Sequence, residues 1–535
     1  MDIALPVMGG LGLFLYGMNI MGSGLEKVAG RRLNRLVEVL TTNRFRGVLV
    51  GALVTMVVQS SSATTVMVIG FVNAGLMTLY QAVGVIMGAN IGTTITAQMI
   101  ALNLTDYAPI AVAIGVALWT FTSKKKAKNI SEILIGFGIL FIGMDMMSTG
   151  LKPLANHSIF INMIGKLNNP LLGVLAGILL TTIVQSSSAS IGLLQALAGE
   201  GILSMNIALP VLLGENIGTT TTALISSIGA NITAKRAALM HFLFNLVGTL
   251  IFMIGLRYPL HWVVTTISPN NIQAQIANAH TIFNIMNVLI QIPFANLLVK
   301  LVETLIPGTA TSELEASIYL DSRILETPSI ALGQANKEVS RMADLVMENL
   351  NLSEKILLDN HFDGIDEALD REQMINTIER EITEYLIRLS NTPLSDVQHK
   401  ELNNLLYAIN DIERVGDHVD NIIELSQEKL DKNVRFSQEA KNELYEMFDK
   451  SEKAFLNAIE AFKFDDKVLV NKVLKIEENI NILESKYREE HLKRLNSMEC
   501  QTEPGIIFLD TISNLERVSD HSVNITKYVL DKFKK

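Results

Sequence analysis

The chain has 535 residues, one cysteine and a formal net charge of −10, but its charged residues are unevenly distributed. Residues 1–310 contain 9 acidic and 16 basic side chains, whereas residues 311–535 contain 45 and 28. A soluble domain averages about 25% charged residues, so the first part predicts a membrane domain, the acidic second part argues against a nucleic-acid partner, and the lone cysteine excludes an internal disulfide.

The sequence lacks the motifs of the common nucleotide-driven and hydrolytic proteins. It contains no G-x-x-x-x-G-K-[ST] phosphate loop, no H-E-x-x-H and no G-x-S-x-G. These absences argue against ATP-driven transport and familiar hydrolase chemistry, so we do not expect an enzyme. The first apolar stretch, 3–23, has no basic residues before it and predicts a membrane span that is retained.

The sequence of the membrane part contains an internal repeat. Residues 47–65, GVLVGALVTMVVQSSSATT, and residues 173–191, GVLAGILLTTIVQSSSASI, are identical at 12 of 19 positions with an offset of 126. The same offset aligns GANIGTTITA at 88–97 with GENIGTTTTA at 214–223, with 8 of 10 positions identical. Equal spacing of two motif pairs indicates an internal duplication, with copies at about 3–123 and 130–257.

The basic residues predict that the second copy is inverted. The loop at 25–46 carries six basic residues, whereas the corresponding loop at 151–172 carries Lys152 and Lys166 alone. Because cytoplasmic loops are enriched in lysine and arginine, the two loops are expected on opposite sides. This topology needs an odd number of crossings per copy, with hairpins at 47–76 and 173–200 that do not cross and spans at 3–23, 80–101, 107–123, 130–150, 205–229, 237–257 and 280–305.

Each Q-S-S-S sequence lies where its hairpin must turn at membrane depth. Backbone that leaves helical pairing there must be buried in protein or line a cavity, and inverted repeats bring such turns together near the midplane. Serine hydroxyls and helix N-terminal amides suit a tetrahedral oxyanion, and hydroxyl oxygens also suit Na⁺. The alternative is that the serines bond to the carbonyls of their own helices.

The N-I-G-T-T sequences form the second motif pair. Glycines on both sides of each asparagine permit local unwinding, and the amide and hydroxyl oxygens are hard ligands suited to Na⁺. Small-residue packing between helices is the alternative. Three acidic residues at depth, Asp145, Glu200 and Glu215, have no acidic counterpart in the first copy and are candidates for a cation or proton site. We interpret His241 and Asn245 as a packed polar pair.

These paired motifs resemble the type II sodium–phosphate cotransporter family, in its bacterial branch, over residues 1–306. The resemblance implies Na⁺-coupled movement of inorganic phosphate in the plasma membrane, with both Q-S-S-S hairpins forming the substrate and sodium site. The binding residues it implies are Gln59, Ser60, Ser61, Ser62, Gln185, Ser186, Ser187 and Ser188. Neighbouring residues that we expect to contribute are Thr64, Thr65, Ser190, Asn90, Thr93, Thr94, Asn216, Thr219 and Thr220.

After a linker at 309–328, residues 329–535 predict amphipathic helices. Breaks near Thr327-Pro328, Asp363-Gly364, Thr392-Pro393, Asn433 and Glu503-Pro504-Gly505 divide this part into about six long helices. Residues 412–418, I-E-R-V-G-D-H, recur at 515–521 as L-E-R-V-S-D-H. Short turns between long helices predict bundles, so we expect an all-α chain with two cytoplasmic three-helix bundles behind an inverted-repeat membrane domain at 1–308.

Each bundle copy carries an acidic stripe on one helix face. The residues recur at i, i+4 and i+8: Glu413, Asp417 and Asn421, then Glu516, Asp520 and Asn524. Such a stripe suits a divalent or iron ion, although a solvated face is equally consistent. The pattern resembles the PhoU domain over about 330–533, which implies metal binding and a link to phosphate signalling. We expect a regulatory or oligomerising role, with a homodimer and a signalling partner as candidate partners.

Three functions are consistent with these patterns. The leading hypothesis is a secondary transporter that couples Na⁺ to inorganic phosphate by alternating access. The same carrier working as a phosphate exporter is the second, because residues do not reveal net direction. A membrane-anchored phosphate sensor without turnover is the third. Two opposed broken hairpins are more than a one-sided receptor needs, which favours transport.

Overall fold

The computed structural model describes residues 3–29, 43–308, 319–497 and 502–531. The arginines predicted to mark the cytoplasmic side at Arg31, Arg32 and Arg35, and most of the predicted linker, lie outside the described residues. Among the described residues there are helices and no β-strand. The chain divides into two compact units, one containing residues up to 308 together with Asp321–Ile330 and the other containing Ala331 onwards.

The first copy of the membrane unit contains two long helices, a short apolar helix and a hairpin of two short helices. The long helices α1 and α4 are apolar and long enough to cross a membrane. The hairpin helices have 15 and 13 residues, about 20 Å each, which is short of the roughly 30 Å hydrocarbon core. The helices are α1 Ala4–Ala29, α2 Arg44–Val58, α3 Ser61–Asn73, α4 Leu79–Ala101 and α5 Ala108–Phe121.

The second copy repeats this order, with the segment Ile232–Ile267 in the place of α5, and one further apolar segment follows it. The predicted hairpin at 173–200 is confirmed as α8 and α9, and an additional short helix α7 precedes it at a bend of 111°. The segments Ile232–Ile267 and Ile272–Leu305 are each apolar and long enough to cross a membrane. The helices are α6 Lys125–Leu151, α7 Ser158–Lys166, α8 Pro170–Val184, α9 Ser187–Gly199, α10 Met205–Gly218, α11 Thr220–Ser226, α12 Ile232–Ile251, α13 Arg257–Ile267, α14 Ile272–Gln291 and α15 Ala295–Leu305.

The span predicted at 205–229 consists of two consecutive helices. This segment contains Pro210 and is interrupted at Thr219, between α10 and α11. In the first copy, by contrast, α4 continues through the N-I-G-T-T sequence without a break. The predicted local unwinding therefore fails in the first copy, because close helix packing rather than unwinding accounts for its glycines.

Helices α1 and α6 occupy equivalent positions in the two copies and pack against each other in opposite directions. A Cβ atom on Gly10 would lie 2.6 Å from the carbonyl oxygen of Gly143, and one on Gly136 would lie 2.6 Å from that of Gly17. Gly136 and Gly143 are the duplicates of Gly10 and Gly17, so the contact is the same from both sides, as in a two-fold interface. The antiparallel pairing shows that the copies are inverted.

Each hairpin packs on the helix that carries the N-I-G-T-T motif through the same glycines. A Cβ on Gly51 would lie 2.1 Å from the oxygen of Val85, and one on its duplicate Gly177 would lie 2.0 Å from that of Val211. Only glycine permits the backbones to approach this closely. The duplicated sequence thus produces duplicated packing, which places each Q-S-S-S turn beside its own N-I-G-T-T helix.

The second unit consists of the two expected three-helix bundles. Their cores are lined by regularly spaced apolar residues such as Ile382 and Leu389. The end of α19 was missed, because the chain turns there at Asp465 in a left-handed conformation (φ 54°) without glycine or proline. Pro504 and Gly505 lie instead in the first turn of α21. The helices are α16 Pro328–Asp359, α17 Ile365–Ser390, α18 Asp396–Asp431, α19 Gln438–Phe464, α20 Lys467–Asn496 and α21 Thr502–Asp531.

The bundle copies meet through equivalent contacts of α18 and α21. His418 Nδ1 lies 3.0 Å from Asn514 Oδ1, and its duplicate His521 lies with Nδ1 2.9 Å from Asp411 Oδ1. The two imidazole rings stack, with centroids 5.6 Å apart. This unit therefore also has an internal two-fold relationship, and its motif histidines take part in contacts between the copies.

Candidate substrate site

The Q-S-S-S turns have the same unusual backbone geometry in both copies. Gln59 and Gln185 end their helices in the left-handed region, with φ 59° and 55°. Residues other than glycine rarely adopt the left-handed backbone conformation, because it strains their backbone. In both copies the backbone N–H of the glutamine donates a hydrogen bond to the backbone carbonyl of the threonine four residues earlier, at 2.7 Å. The chain thus reverses between the two hairpin helices with the same hydrogen bond in both copies.

The first serine of each motif caps the returning helix. The Ser60 hydroxyl accepts from the amide of Ala63 at 3.1 Å, and the Ser186 hydroxyl accepts from that of Ala189 at 3.3 Å. A capped helix still has free amides in its first turn and a partial positive charge. The second serine, Ser61 or Ser187, lies at this helix start. The Ser61 hydroxyl is buried and has no hydrogen-bond partner.

Both helix starts open onto one small buried cavity. Three residues from each copy occupy equivalent positions in its wall: Ser61, Asn90 and Thr93, and Ser187, Asn216 and Thr219. The remaining wall is formed by Ile191, Glu215 and His280. The cavity has a water-accessible volume of about 10 Å³, which is enough for about one water molecule. A larger ligand therefore requires the wall to move.

The threonine hydroxyls of the cavity wall can only accept hydrogen bonds from a ligand in the cavity. The Thr93 hydroxyl donates to the carbonyl of Ala89 at 3.1 Å, and the Thr219 hydroxyl donates to that of Glu215 at 2.9 Å. A hydroxyl has one hydrogen and two lone pairs, so these oxygens present lone pairs to the cavity. The wall thus combines serine and amide donors for an anion with oxygen acceptors for a cation.

A sequence motif that occurs in both α12 and α14 supports the asparagines. Asn90 Nδ2 donates to Asn245 Oδ1 at 3.3 Å, and Asn284 Nδ2 donates to Asn216 Oδ1 at 3.4 Å. His241 Nε2 lies 3.4 Å from Asn90 Oδ1, and all five of these side chains are buried. We did not anticipate this pairing. The signal was the spacing A-x-x-H-x-x-F-N, which begins at 238 in α12 and again at 277 in α14.

The other predicted residues lie around the cavity rather than in its wall. The Thr64 hydroxyl bonds to Thr55 and to the Ser60 carbonyl, and the Ser190 hydroxyl bonds to the Ser186 carbonyl. The Gln59 side chain accepts from Thr96, whereas Gln185 is exposed. The cavity wall does not include Gln59, Ser60, Ser62, Thr64, Thr65, Thr94, Gln185, Ser186, Ser188, Ser190 or Thr220.

The structure separates the three acidic candidates. Asp145 is exposed, so it does not belong to the buried site. Glu200 ends α9 and lies 4.0 Å from Lys152. Glu215 alone lines the cavity, and it is 1% exposed.

Glutamates of neighbouring helices lie close to the acidic stripes of the second unit. Burial and then the charge of Asp417 raise the pKa of Glu413, and burial followed by Asp520 and Glu484 raises the pKa of Glu516. Arg414 Nη1 bonds to Asp417 at 3.1 Å. Asn421 donates to Asn514, and Asn524 donates to Asp411. Within the described residues, no three His, Cys, Asp or Glu side chains are arranged to hold a metal ion.

The chain belongs to the Na⁺/Pi-cotransporter family and also carries a PhoU domain. Residues 13–149 and 139–268 each match the family model described as Na+/Pi-cotransporter, and residues 339–426 and 444–529 each match the PhoU domain. The resemblance inferred from the two motif pairs is confirmed. The members of the cotransporter family are phosphate transporters. The two matches to each family model agree with the two internal duplications.

Three relatives illustrate the range of similarity. The protein named "Putative inorganic phosphate export protein YjbB" of Salmonella typhimurium is 25% identical and aligns with 99% of this chain and 97% of its own length. YqeW of Bacillus subtilis, named an uncharacterized protein, is 32% identical over 55% of this chain and 95% of its own. The rat sodium-dependent phosphate transport protein 2A is 23% identical over 48% of this chain and 61% of its own.

Among solved structures, the second unit is similar to PhoU from Pseudomonas aeruginosa. The match has a TM-score of 0.36 and 19% sequence identity, and it covers 37% of this chain and 95% of the PhoU chain.

Proposed function

We propose that this protein is a secondary transporter that couples Na⁺ to the movement of inorganic phosphate across the plasma membrane. One observation carries the proposal: the N-terminal ends of two helices from inverted copies face one buried cavity, and acceptor oxygens line that same cavity. Neutral donors bind a phosphate oxyanion without leaving a permanent cation buried when the site is empty.

The predicted binding residues divide into two roles. Ser61 and Ser187, with the first amides of α3 and α9, bind the phosphate. Asn90, Thr93, Asn216 and Thr219 supply oxygens for Na⁺. The other predicted residues hold the turns and helices in place. Because cation and anion occupy one small site, each raises the affinity of the other, and the inverted copies rock around the occupied site.

Net direction follows the gradients and not the site. The relative that aligns with both halves of this chain is named as a phosphate export protein, whereas the sodium-dependent relative matches about half of it. Export is therefore the second candidate function. In both cases the same site binds phosphate and Na⁺, and the working direction depends on the phosphate level inside the cell.

We further propose that the PhoU domain lies in the cytoplasm and regulates transport. The segment Asp321–Ile330, which leads into it, is anchored on the membrane unit near the hairpin of the first copy. Asn73 at the end of α3 donates to Asp321 at 3.1 Å, and Arg323 Nε donates to the carbonyl of Ser226 at 2.8 Å. A change in the PhoU domain that pulls on this segment thus acts directly on α3.

The experiment is phosphate uptake into proteoliposomes that contain the purified full-length chain. An inward Na⁺ gradient should drive transient accumulation of labelled phosphate above equilibrium, and a matched K⁺ gradient should not. Loading phosphate inside and Na⁺ outside or inside then measures efflux and its sodium dependence. Phosphate binding without Na⁺-driven movement in either direction would contradict transport and favour the sensor.

The metal stripes, the homodimer and a signalling partner remain proposals for the PhoU domain. Asp417→Ala and Asp520→Ala should each reduce bound metal in elemental analysis of the purified protein, with Glu460→Ala, an exposed residue of α19, as the control. Metal that is absent from the wild type, or unchanged in both variants, leaves the stripes as solvated helix faces. Light scattering in detergent measures the oligomeric state.

A further inference from the structure

The two-fold relationship of the cavity is broken by one carboxylate. Glu215 of α10 corresponds to Ala89 of α4, and both positions are fully buried, at 1% and 0% exposure. Both carboxylate oxygens of Glu215 are buried and have no hydrogen-bond partner. Glu215 also lines the cavity, beside Ser187, Asn216 and His280. The second copy therefore places an acidic group in the site where the first copy has a methyl group.

A second difference lies next to the first. In the first copy, the Thr55 hydroxyl donates to Thr64 at 3.0 Å. In the second copy, the equivalent Thr181 hydroxyl is buried without a partner. The Cβ of Thr181 lies 2.8 Å from where a Cβ on Gly218 would be, and Gly218 is one turn after Glu215 on the same helix. Two buried oxygen-bearing side chains without partners thus occur on adjoining helices of this copy.

A carboxylate in this position needs a cation. Moving an unpaired charge out of water costs several kcal/mol or more. Among the described residues, no lysine or arginine lines the cavity, and its one imidazole, that of His280, carries a charge only when it is protonated. The oxygens beside Glu215 are suited to a hard cation. Thr219 has already used its hydroxyl hydrogen on a backbone carbonyl, and Asn216 contributes an amide oxygen to the same wall. Apart from the imidazole of His280, the polar side chains around Glu215 supply oxygen ligands, which favour Na⁺ over softer metal ions.

We propose that Glu215 is the anionic ligand of a Na⁺ site that exists in the second copy alone, with Thr219 and Asn216 of the same wall as neighbouring oxygen ligands. This inference rests on the proposed function and deepens it, because it assigns one coupling ion to one copy. It also means that the two copies do not bind equal charge. The negative charge of Glu215 keeps phosphate out until Na⁺ is bound, so sodium binds before phosphate.

The test measures Na⁺ binding separately from transport. Equilibrium binding of ²²Na⁺ to the purified full-length protein, without phosphate, is compared among wild type, Glu215→Gln and Glu200→Gln. Glu200 is the matched control, because it is the other acidic residue gained by the second copy and does not line the cavity. We expect Glu215→Gln to weaken Na⁺ binding at least tenfold and Glu200→Gln to leave it within twofold of wild type.

Transport then gives the second reading. In proteoliposomes, Glu215→Gln should raise the half-saturating Na⁺ concentration for phosphate uptake at least tenfold, and Thr219→Val should raise it about threefold. Glu215→Asp, which keeps the charge, should retain part of the binding, so a simple folding defect is distinguished from loss of the ligand. Size-exclusion chromatography checks each variant for a folded, monodisperse protein.

The outcomes separate this inference from the proposed function. Wild-type protein that binds ²²Na⁺ through Glu215 but shows no Na⁺-driven phosphate movement contradicts the transport function and keeps the site. Wild-type protein that transports phosphate with Na⁺, together with a Glu215→Gln variant of unchanged sodium dependence, overturns the site and keeps the function. A variant in which the pH dependence alone changes shows that Glu215 carries a proton, and the Na⁺ assignment is then wrong.

Discussion

The two halves of this chain are both duplicated, and comparison of their internal interfaces shows where symmetry is kept and where it is lost. In the membrane half, the copies meet through glycines that repeat from both sides of the α1–α6 contact. In the PhoU half, the copies meet through histidines that each contact the partner copy. Backbone packing is symmetric in the first case, and hydrogen-bond partners are nearly symmetric in the second.

Each half has a buried acidic residue whose equivalent in the other copy is uncharged. Glu215 of the membrane half corresponds to Ala89, and Asp411 of the PhoU half corresponds to Asn514. The surroundings decide what each carboxylate does. Glu215 has no partner, whereas Asp411 accepts from His521, Asn524 and Tyr528. An unpaired buried charge indicates a ligand site, and a fully paired one indicates a structural contact.

The largest effect should come from the symmetric packing of the hairpins. Gly51→Ala and Gly177→Ala each place a Cβ about 2 Å from a backbone oxygen, which the helices cannot relieve without moving apart. We expect a loss of more than about 3 kcal/mol in stability, and hence little folded protein from either variant. Gly12→Ala is the control, because nothing lies within 4 Å of its added Cβ. Normal yields of both hairpin variants would contradict the packing.

The next effect tests whether the cavity or the whole motif binds phosphate. Ser61→Ala and Ser187→Ala should each weaken phosphate affinity by about 1–3 kcal/mol, or roughly 5- to 150-fold, since each removes a donor to a desolvated anion. Ser62→Ala and Ser188→Ala alter residues outside the cavity wall and should stay within about threefold. Labelled-phosphate binding to the full-length protein measures all four. Equal effects at the four serines would show that the cavity has been misassigned.

The two histidine contacts between the bundle copies can be made equivalent by one substitution. Burial disfavours the charged form of Asp411, but hydrogen bonds from His521, Tyr528 and Asn524 outweigh it and hold the pKa below its usual 3.8. A carboxyl group whose pKa is lowered by folding stabilises the folded state at pH values above its usual pKa of 3.8. This stabilisation is lost as the pH falls through the pKa of the folded state. Asp411→Asn should therefore cost about 1–2 kcal/mol at pH 7 and progressively less below about pH 4.

Hydrogen exchange of α18 and α21 in the full-length protein measures this loss, after correction for intrinsic exchange at each pH. The opposite substitution, Asn514→Asp, supplies the control. It places a carboxylate beside His418, whose pKa is lowered by burial, and should raise that pKa, as followed by the imidazole resonances. An Asp411→Asn variant with the same cost at pH 7 and pH 3 would show that its charge does not contribute.

A smaller effect is expected where the bundle copies bring like charges together. Burial, followed by the charges of Glu354 and Asp449, raises the pKa of Glu452 from 4.5 to about 7, and its Oε1 is buried without a partner. The stability that the protonated form provides is complete below pH 4.5 and is lost as the pH rises through 7. Glu452→Gln should thus stabilise the bundles by about 1 kcal/mol at pH 8, after allowance for solvent screening, and change nothing at pH 4.

Exchange rates in α19 again report the change, with Glu460→Gln as the control because Glu460 is exposed on the same helix. Stabilisation by both substitutions would point to net charge rather than to Glu452. A Glu452→Gln variant that is less stable at pH 8 would mean that the carboxylate makes a contact stronger than the repulsion.

The sequence alone was sufficient for the family, the all-helical fold, both duplications and the inverted arrangement of the membrane copies. These follow from local properties: charge content, motif spacing and the distribution of basic residues act within one segment or between identical segments. The Q-S-S-S turns were also expected, because a short apolar arm cannot cross the membrane. The end of α19 at Asp465 was missed, since asparagine and aspartate adopt the left-handed region without an obvious signal.

Tertiary structure decided which of the motif residues share a cavity and what supports them. Sequence gave no reason to prefer Ser61 over Ser62 or Glu215 over Asp145, because the side of a helix that faces a neighbour depends on how the helices cross. The contacts of Asn245 and Asn284 join segments more than sixty residues apart, so no local pattern reveals them. Repetition in the sequence established the symmetry of the molecule, and packing determined where that symmetry is broken by a charge.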